Sequence, residues 1–290
     1  MNENFLGQNG FIWFVGVVED RQDPLRIGRV RVRVLGVHTE NKQILPTENL
    51  PWATIVLPVI SSGISGFGWS KPFLVEGSWV MGYFRDGMGK QEPVVLGSLP
   101  GYTIAYGDPK IGFSDPRPRE DNEELSVYPL YTNESDVSRI AVGDEEKPHP
   151  SRAVMQAARV TGITSVNTTW DQPAIPGISS YPYNNTYETE AGHTFTFDDT
   201  PGNEHVTLRS NTGSYITMDS NGNVISYTKN NSYSITENNS HIYIQGEWNV
   251  TANGNLNIHS NNNLNLFAAG NMNLTAGGAV AISGATIDLN

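Results

Sequence analysis

From Gly246 onward the sequence repeats every eight residues, in units that begin at Gly246, Gly254, Asn262, Gly270 and Gly278. Third positions are Trp248, Leu256, Leu264, Met272 and Val280, and fifth positions are Val250, Ile258, Leu266, Leu274 and Ile282. Positions three and five fall on one face of an extended chain, while Gly or Asn at position one tolerates the positive φ that a turn requires. Each unit therefore offers only two apolar side chains to a core, too few for a separate element. Eight residues are also too few to complete one turn of a β-helix about their own axis, but three units side by side close a triangular coil. The three can come from one chain or from three. Five units and a remnant containing Ile287 and Leu289 make fewer than two layers from one chain, so three chains sharing each layer are expected. Closure removes exposed strand edges, and Asn249, Asn257, Asn265 and Asn273 at the fourth positions are placed to stack as amide ladders on the outside.

The N-terminal part has a different grammar. Phe11 to Val18 is an apolar run too short to span a bilayer, and Arg29 to Val34 alternates Arg with Val. Trp52 to Leu57, Trp79 to Phe84 and Val94 to Leu96 are further strand candidates, bounded by Pro, Gly or turns such as Asp86-Gly87. Five short strands within residues 1–102 predict a small Greek-key barrel of the OB type. Residues 103–180 are rich in Pro, Asp, Glu and Ser and predict an extended linker, whose one helix-like patch, Ser151 to Val160, is too short to stand alone. Residues 181–245 lead into the repeat as a neck, and residues 246–290 form the octad shaft, so the predicted class is all-β.

Composition excludes several functions. The apolar fraction of 38% is low for one large core, and the absence of cysteine removes disulfides and thiolate metal sites. The N-terminus shows no export signal, consistent with a soluble protein made inside a cell. Net charge is −12, all of it from residues 103–290, because residues 1–102 hold nine basic and nine acidic residues. A general nucleic-acid binder shows the opposite balance. Arg29, Arg31 and Arg33 therefore read as a solvated strand face or a subunit contact rather than a nucleic-acid groove. The GISGFG run at 63–68 lacks the Lys-Ser/Thr pair of a phosphate loop and is taken as a barrel loop. His38, His149, His193, His205, His241 and His259 lack metal-ligand spacing, and His193 and His205 are read as structural residues of the neck. The acidic clusters at 120–124 and 144–146 are read as solvated charge runs. No catalytic residue, cofactor or metal site is predicted.

The stretches GRVRVRVLGVH (28–38), PWA (51–53), GSWVMGYFRDGMGKQEPVVLGSLPG (77–101) and YPYNNTYETEAGHTFTFDDTPG (181–202), together with the terminal octads, resemble the central spike proteins of contractile-tailed phages and the related valine-glycine repeat spikes of type VI secretion. The most specific stretch is Glu188 to Gly202 followed by Gly213-Ser-Tyr-Ile-Thr, which is similar to that family's neck. The resemblance implies a homotrimer in the tail baseplate of a virion, assembled in the host cytoplasm. It also implies barrels docked on a hub protein, a shaft that contacts the host outer membrane, and a small PAAR-like tip protein on the end formed by Ile287, Asp288, Leu289 and Asn290. The best-known phage member carries a lysozyme domain between barrel and helix. The corresponding segment here, roughly eighty residues, is polar and about half what such a domain needs, so architecture carries over and catalysis does not. A glycan-cleaving tailspike would need carboxylates on its repeats, yet only Glu247 and Asp288 follow Glu237, and an OB-type binding module explains the barrel alone.

Overall fold

The computed structural model describes residues 10–68, 74–117, 133–143, 147–165 and 168–288. The chain divides into two compact units, Met1–Gly162 with Asp171–Ser240, and Ile163–Trp170 with His241–Asn290.

Strands β1 (Ile12–Asp20), β2 (Val30–Val34), β3 (Trp52–Ile55), β4 (Trp79–Phe84) and β5 (Pro93–Ser98) close into a barrel in the order β1-β2-β3-β5-β4. Every pairing is antiparallel except β3 with β5. The Arg-Val alternation sends Val30, Val32 and Val34 inward, where they meet Phe14, Val18, Ala53, Val80, Phe84 and Val95. Burying each large side chain of this set contributes about 1.5–3 kcal/mol. Gly82 lies opposite Phe14, and a Cβ there would stand 2.7 Å from the Phe14 ring, so glycine makes room for the aromatic pair Phe14–Phe84.

The three arginines on the other side of β2 differ from expectation, because the protein uses all three internally. Arg33 is fully buried and donates to Glu19 at 2.6 Å and to the carbonyls of Thr39 and Leu45. Arg31 donates to the carbonyls of Thr47, Glu48 and Leu50 and lies 4.5 Å above the Trp52 ring. Arg29 pairs with Asp23 at 2.7 Å; Asp23 also accepts the amides of Leu25 and Ile27, and the Arg29 hydrogen bond leads the effects that hold its carboxyl well below the usual range. A strand face that alternation marks as outward is therefore covered by the β2–β3 loop. Gly112 completes the cover: its amide donates to Glu40, and a Cβ there would stand 2.5 Å from Cδ of Arg33.

Beyond the barrel, residues 103–180 hold short elements. Strands β6 (Tyr102–Thr103) and β7 (Glu134–Ser135) pair, α1 (Arg139–Val142) and α2 (Pro150–Ala158) follow, and β8 (Ile163–Ser165) with β9 (Thr168–Trp170) make a hairpin. Helix α2 starts with Pro150 in its first turn and is capped by His149, whose Nδ1 accepts the Ser151 amide. It stays folded by burying Met155 against Tyr215 and Ile225, which answers the weakness of a nine-residue helix in isolation. Strands β10 (Asn184–Glu188), β11 (Thr194–Asp198), β12 (His205–Arg209), β13 (Tyr215–Met218) and β14 (Val224–Tyr227) form an antiparallel meander in sequence order.

Candidate functional site

The meander is polar on the face its own chain covers and apolar on the face it leaves open. Thr186, Thr196, Thr207 and Thr217 are paired in register across β10 to β13 and form one row. Thr207 and Thr217 share a hydroxyl hydrogen bond of 2.7 Å. Around this row the chain folds back: Gln172 donates to the Tyr215 hydroxyl, Ser179 to Asp198, and Asn184 to Ser179 and to the Ile140 carbonyl. On the opposite face, Tyr187, Phe195, Leu208 and Ile216 form one cross-strand row, and Phe197, Val206, Met218 and Val224 a second. All but the half-buried Val206 are exposed, Leu208 by 56%, Met218 by 50% and Phe197 by 48%. A sheet face with this much apolar surface marks a site of association.

The octads extend the pattern. The backbone bends at 229–230, 237–238, 245–246, 253–254, 261–262, 269–270 and 277–278, so the eight-residue period begins two turns before Gly246. Among the described residues, no backbone group from 230 to 288 is hydrogen-bonded to another backbone group of the chain. Protein backbone that leaves water is nearly always paired, so these extended segments await ladders from outside the chain. The third- and fifth-position side chains Trp248, Val250, Leu256, Ile258, Leu264, Leu266, Met272, Leu274, Val280 and Ile282 are all open, from 51% exposed at Met272 to 70% at Ile258 and Leu274. Ile287 and Asp288 are exposed as well, while Leu289 and Asn290 lie outside the described residues, as do 120–124 and 144–146.

The histidines serve local structure. His38 Nδ1 accepts the Val34 amide, His193 Nδ1 accepts the Asn211 amide, and His205 Nδ1 lies 2.8 Å from the Asn203 carbonyl. Sequence reasoning missed the partnership of His149 with Glu188, 2.7 Å apart, because the two are separated by 39 residues and no local pattern joins them. Burial pushes the Glu188 carboxyl up, but hydrogen bonds from His149 and Ser138 outweigh it and leave the group below its ordinary range. Among the described residues no three His, Asp or Glu converge as metal ligands, and no helix is long and apolar enough to cross a membrane. The 63–68 run is a loop in which Ser62 donates to the Phe67 carbonyl.

A closed OB-type barrel, followed by a sheet and a repeat that both present uncovered apolar faces, defines an assembly protein whose C-terminal half is completed by other chains. Residues 36–187, just over half of the 290, match the family model described as the Gp5 N-terminal OB domain. Residues 184–290 match the phage baseplate V C-terminal trimerisation domain, a span that starts on the first residue of β10. The chain belongs to the Gp5 OB-domain family. It is 32% identical over 255 residues to protein Gp5 of Vibrio phage KVP40, covering 77% of this chain and 58% of that protein. To the pre-baseplate central spike protein Gp5 of Enterobacteria phage T4 it is 45% identical over 113 residues, covering 37% of this chain and 20% of that protein. The chain thus spans less than two thirds of either relative.

Proposed function

We propose that this protein is the central spike of a contractile phage tail baseplate, a homotrimer that joins the baseplate hub through its barrels and pierces the host outer envelope with a three-chain β-helix. One observation carries the proposal: β10–β14 leave an apolar face open, the octads that follow in sequence make no backbone–backbone hydrogen bond among the described residues, and the trimerisation-domain match covers this whole span. Both curated relatives are phage proteins, which favours a virion over a type VI secretion spike. On the barrel, Phe11, Trp13 and Tyr83 pack ring against ring on the outside of β1 and β4, an apolar surface suited to a hub contact. Assembly in the host cytoplasm before incorporation follows from this role.

The spike acts mechanically in this proposal, without catalysis, cofactor or nucleic acid. Its shaft has Glu247 and Asp288 as its only carboxylates after Glu237, too few for the paired acids of glycoside cleavage at each candidate cleft. Light scattering of the purified protein is expected to give three times the chain mass, and the same preparation should leave a peptidoglycan suspension turbid. A folded monomer, or clearing that disappears when one carboxylate is replaced, rejects the proposal.

The C-terminal residues of the repeat, Ile287 and Asp288 among them, are the proposed seat of a small PAAR-like tip protein, since both are exposed and strand edges at that level would be open to pairing. Removing Ala285 to Asn290 is expected to preserve the trimer and abolish tip capture in a pull-down. Capture at wild-type level would place the tip contact elsewhere.

A further inference from the structure

Between α2, the 175–179 segment and the threonine face of the neck sheet lies a cleft open to solvent. Its floor includes Thr194 opposite Arg209 and Thr196 opposite Thr207, two registered pairs across β11 and β12. Arg152 of α2 lines it too, and among the described residues no Asp or Glu does.

The two arginines are paired in an unusual way. Arg209 is 5% exposed; it donates to the carbonyls of Ser210 and Gly192, and its Nε is buried with no acceptor. Arg152 donates to the carbonyl of Pro176. Neither forms a salt bridge among the described residues. The contrast with Arg139 is direct, since that residue lines the same cleft and is held by both oxygens of Glu134. Glu188 acts on Arg209 at longer range but is committed to His149 and Ser138. Burial accordingly pushes both guanidinium groups below their ordinary range. Arg209 is thus a buried cation held only by neutral acceptors, beside the half-buried Arg152, and such an arrangement is costly unless a counter-anion relieves it. Met155, Ile175 and Ile178 give the cleft an apolar wall, beside polar lining from His149, Ser151, Ser179 and His205.

We infer that this cleft binds a small organic anion, a carboxylate or phosphate group on a short apolar body. Arg209 and Arg152 hold the anionic head and the threonine hydroxyls donate to it. Met155, Ile175 and Ile178 enclose the body, so the ligand ties α2 to the neck sheet.

Titration calorimetry on the full-length protein in its native assembly tests this with phenyl phosphate, benzoate, benzyl alcohol and inorganic phosphate. At least one aromatic anion is expected to bind once per chain, with the neutral alcohol at least about ten-fold weaker because it forgoes the charge-assisted hydrogen bonds. Inorganic phosphate, lacking the apolar body, is expected to bind more weakly than phenyl phosphate. The tighter of phenyl phosphate and benzoate identifies the head group. Arg209→Gln should lower anion affinity about ten-fold or more while leaving benzyl alcohol unchanged. Arg152→Gln provides the same test if the first variant alters assembly. The inference is overturned if neither aromatic anion binds, if the alcohol binds as tightly, or if the arginine variants bind like wild type.

Discussion

Leu264→Asp is expected to abolish the trimer, while Asn265→Asp, one residue along, leaves it intact. Leu264 is a third-position residue and is 55% exposed in the single chain, so its side chain is available to a partner and not to the chain's own core. Three-fold assembly brings three copies of this position together around one axis. A carboxylate there loses its hydration and gains two like charges instead of a counter-ion. An uncompensated buried charge costs about 3–5 kcal/mol, so three of them cost the trimer on the order of 10 kcal/mol, comparable with the stability of a whole domain. At Asn265 the opposite strand parity points the new charge outward, where water solvates it. Light scattering and resistance to detergent at moderate temperature report the outcome. Equal tolerance of both changes would show that the inward and outward positions have been assigned to the wrong faces.

The neck sheet shows why part of this protein is legible in sequence and part is not. Strict alternation in Thr194-Phe-Thr-Phe197 and in the octads identifies two faces, and the barrel strands follow from Arg29 to Val34 and Trp79 to Phe84 in the same way. Alternation does not say which face the chain itself covers. In this sheet the polar face is the covered one, because α2 and residues 171–180 return to it and supply Gln172, Ser179 and Met155. The pairings involved span 43 residues for Gln172–Tyr215 and 39 for His149–Glu188, and no short-range pattern encodes them. Local chemistry does encode the helix start, since Pro150 after a capping His149 is a first-turn signature. Arg33 shows the same limit: period two places it outside the barrel, and only the β2–β3 loop and Gly112 put it out of water.

Arg33→Met is expected to lower barrel stability by about 3–5 kcal/mol at neutral pH, because it leaves the Glu19 carboxylate buried with its principal counter-charge gone. Both side chains are fully shielded, and Arg33 also satisfies the carbonyls of Thr39 and Leu45, so the β2–β3 loop loses its anchor as well. Lys42, 3.9 Å from Glu19, is the remaining cation. The pH dependence separates this cause from a simple packing defect. In the wild type, burial raises the Glu19 pKa, but hydrogen bonds from Arg33 and Thr47 and the nearby positive charges outweigh it and leave the group below its ordinary value. That depressed value contributes stability which is present above the unfolded carboxyl pKa of roughly 4.3 and is lost as pH falls through the folded value. Without Arg33 the burial effect dominates, and the folded pKa rises above the unfolded one. The folded barrel then takes up a proton more readily than the unfolded chain, so the variant gains stability as pH is lowered from 7 toward 5, a window in which the wild-type contribution of Glu19 is flat. Urea unfolding followed by tryptophan fluorescence, which reports Trp52 beside Arg31, measures both slopes. Adding Glu19→Gln to Arg33→Met should recover part of the loss at pH 7 and flatten the pH dependence, since no charge is then left in the site. A deficit that is the same at pH 5 and pH 7 would mean that Arg33 supports the barrel through its packing and carbonyl contacts, with the ion pair contributing nothing measurable.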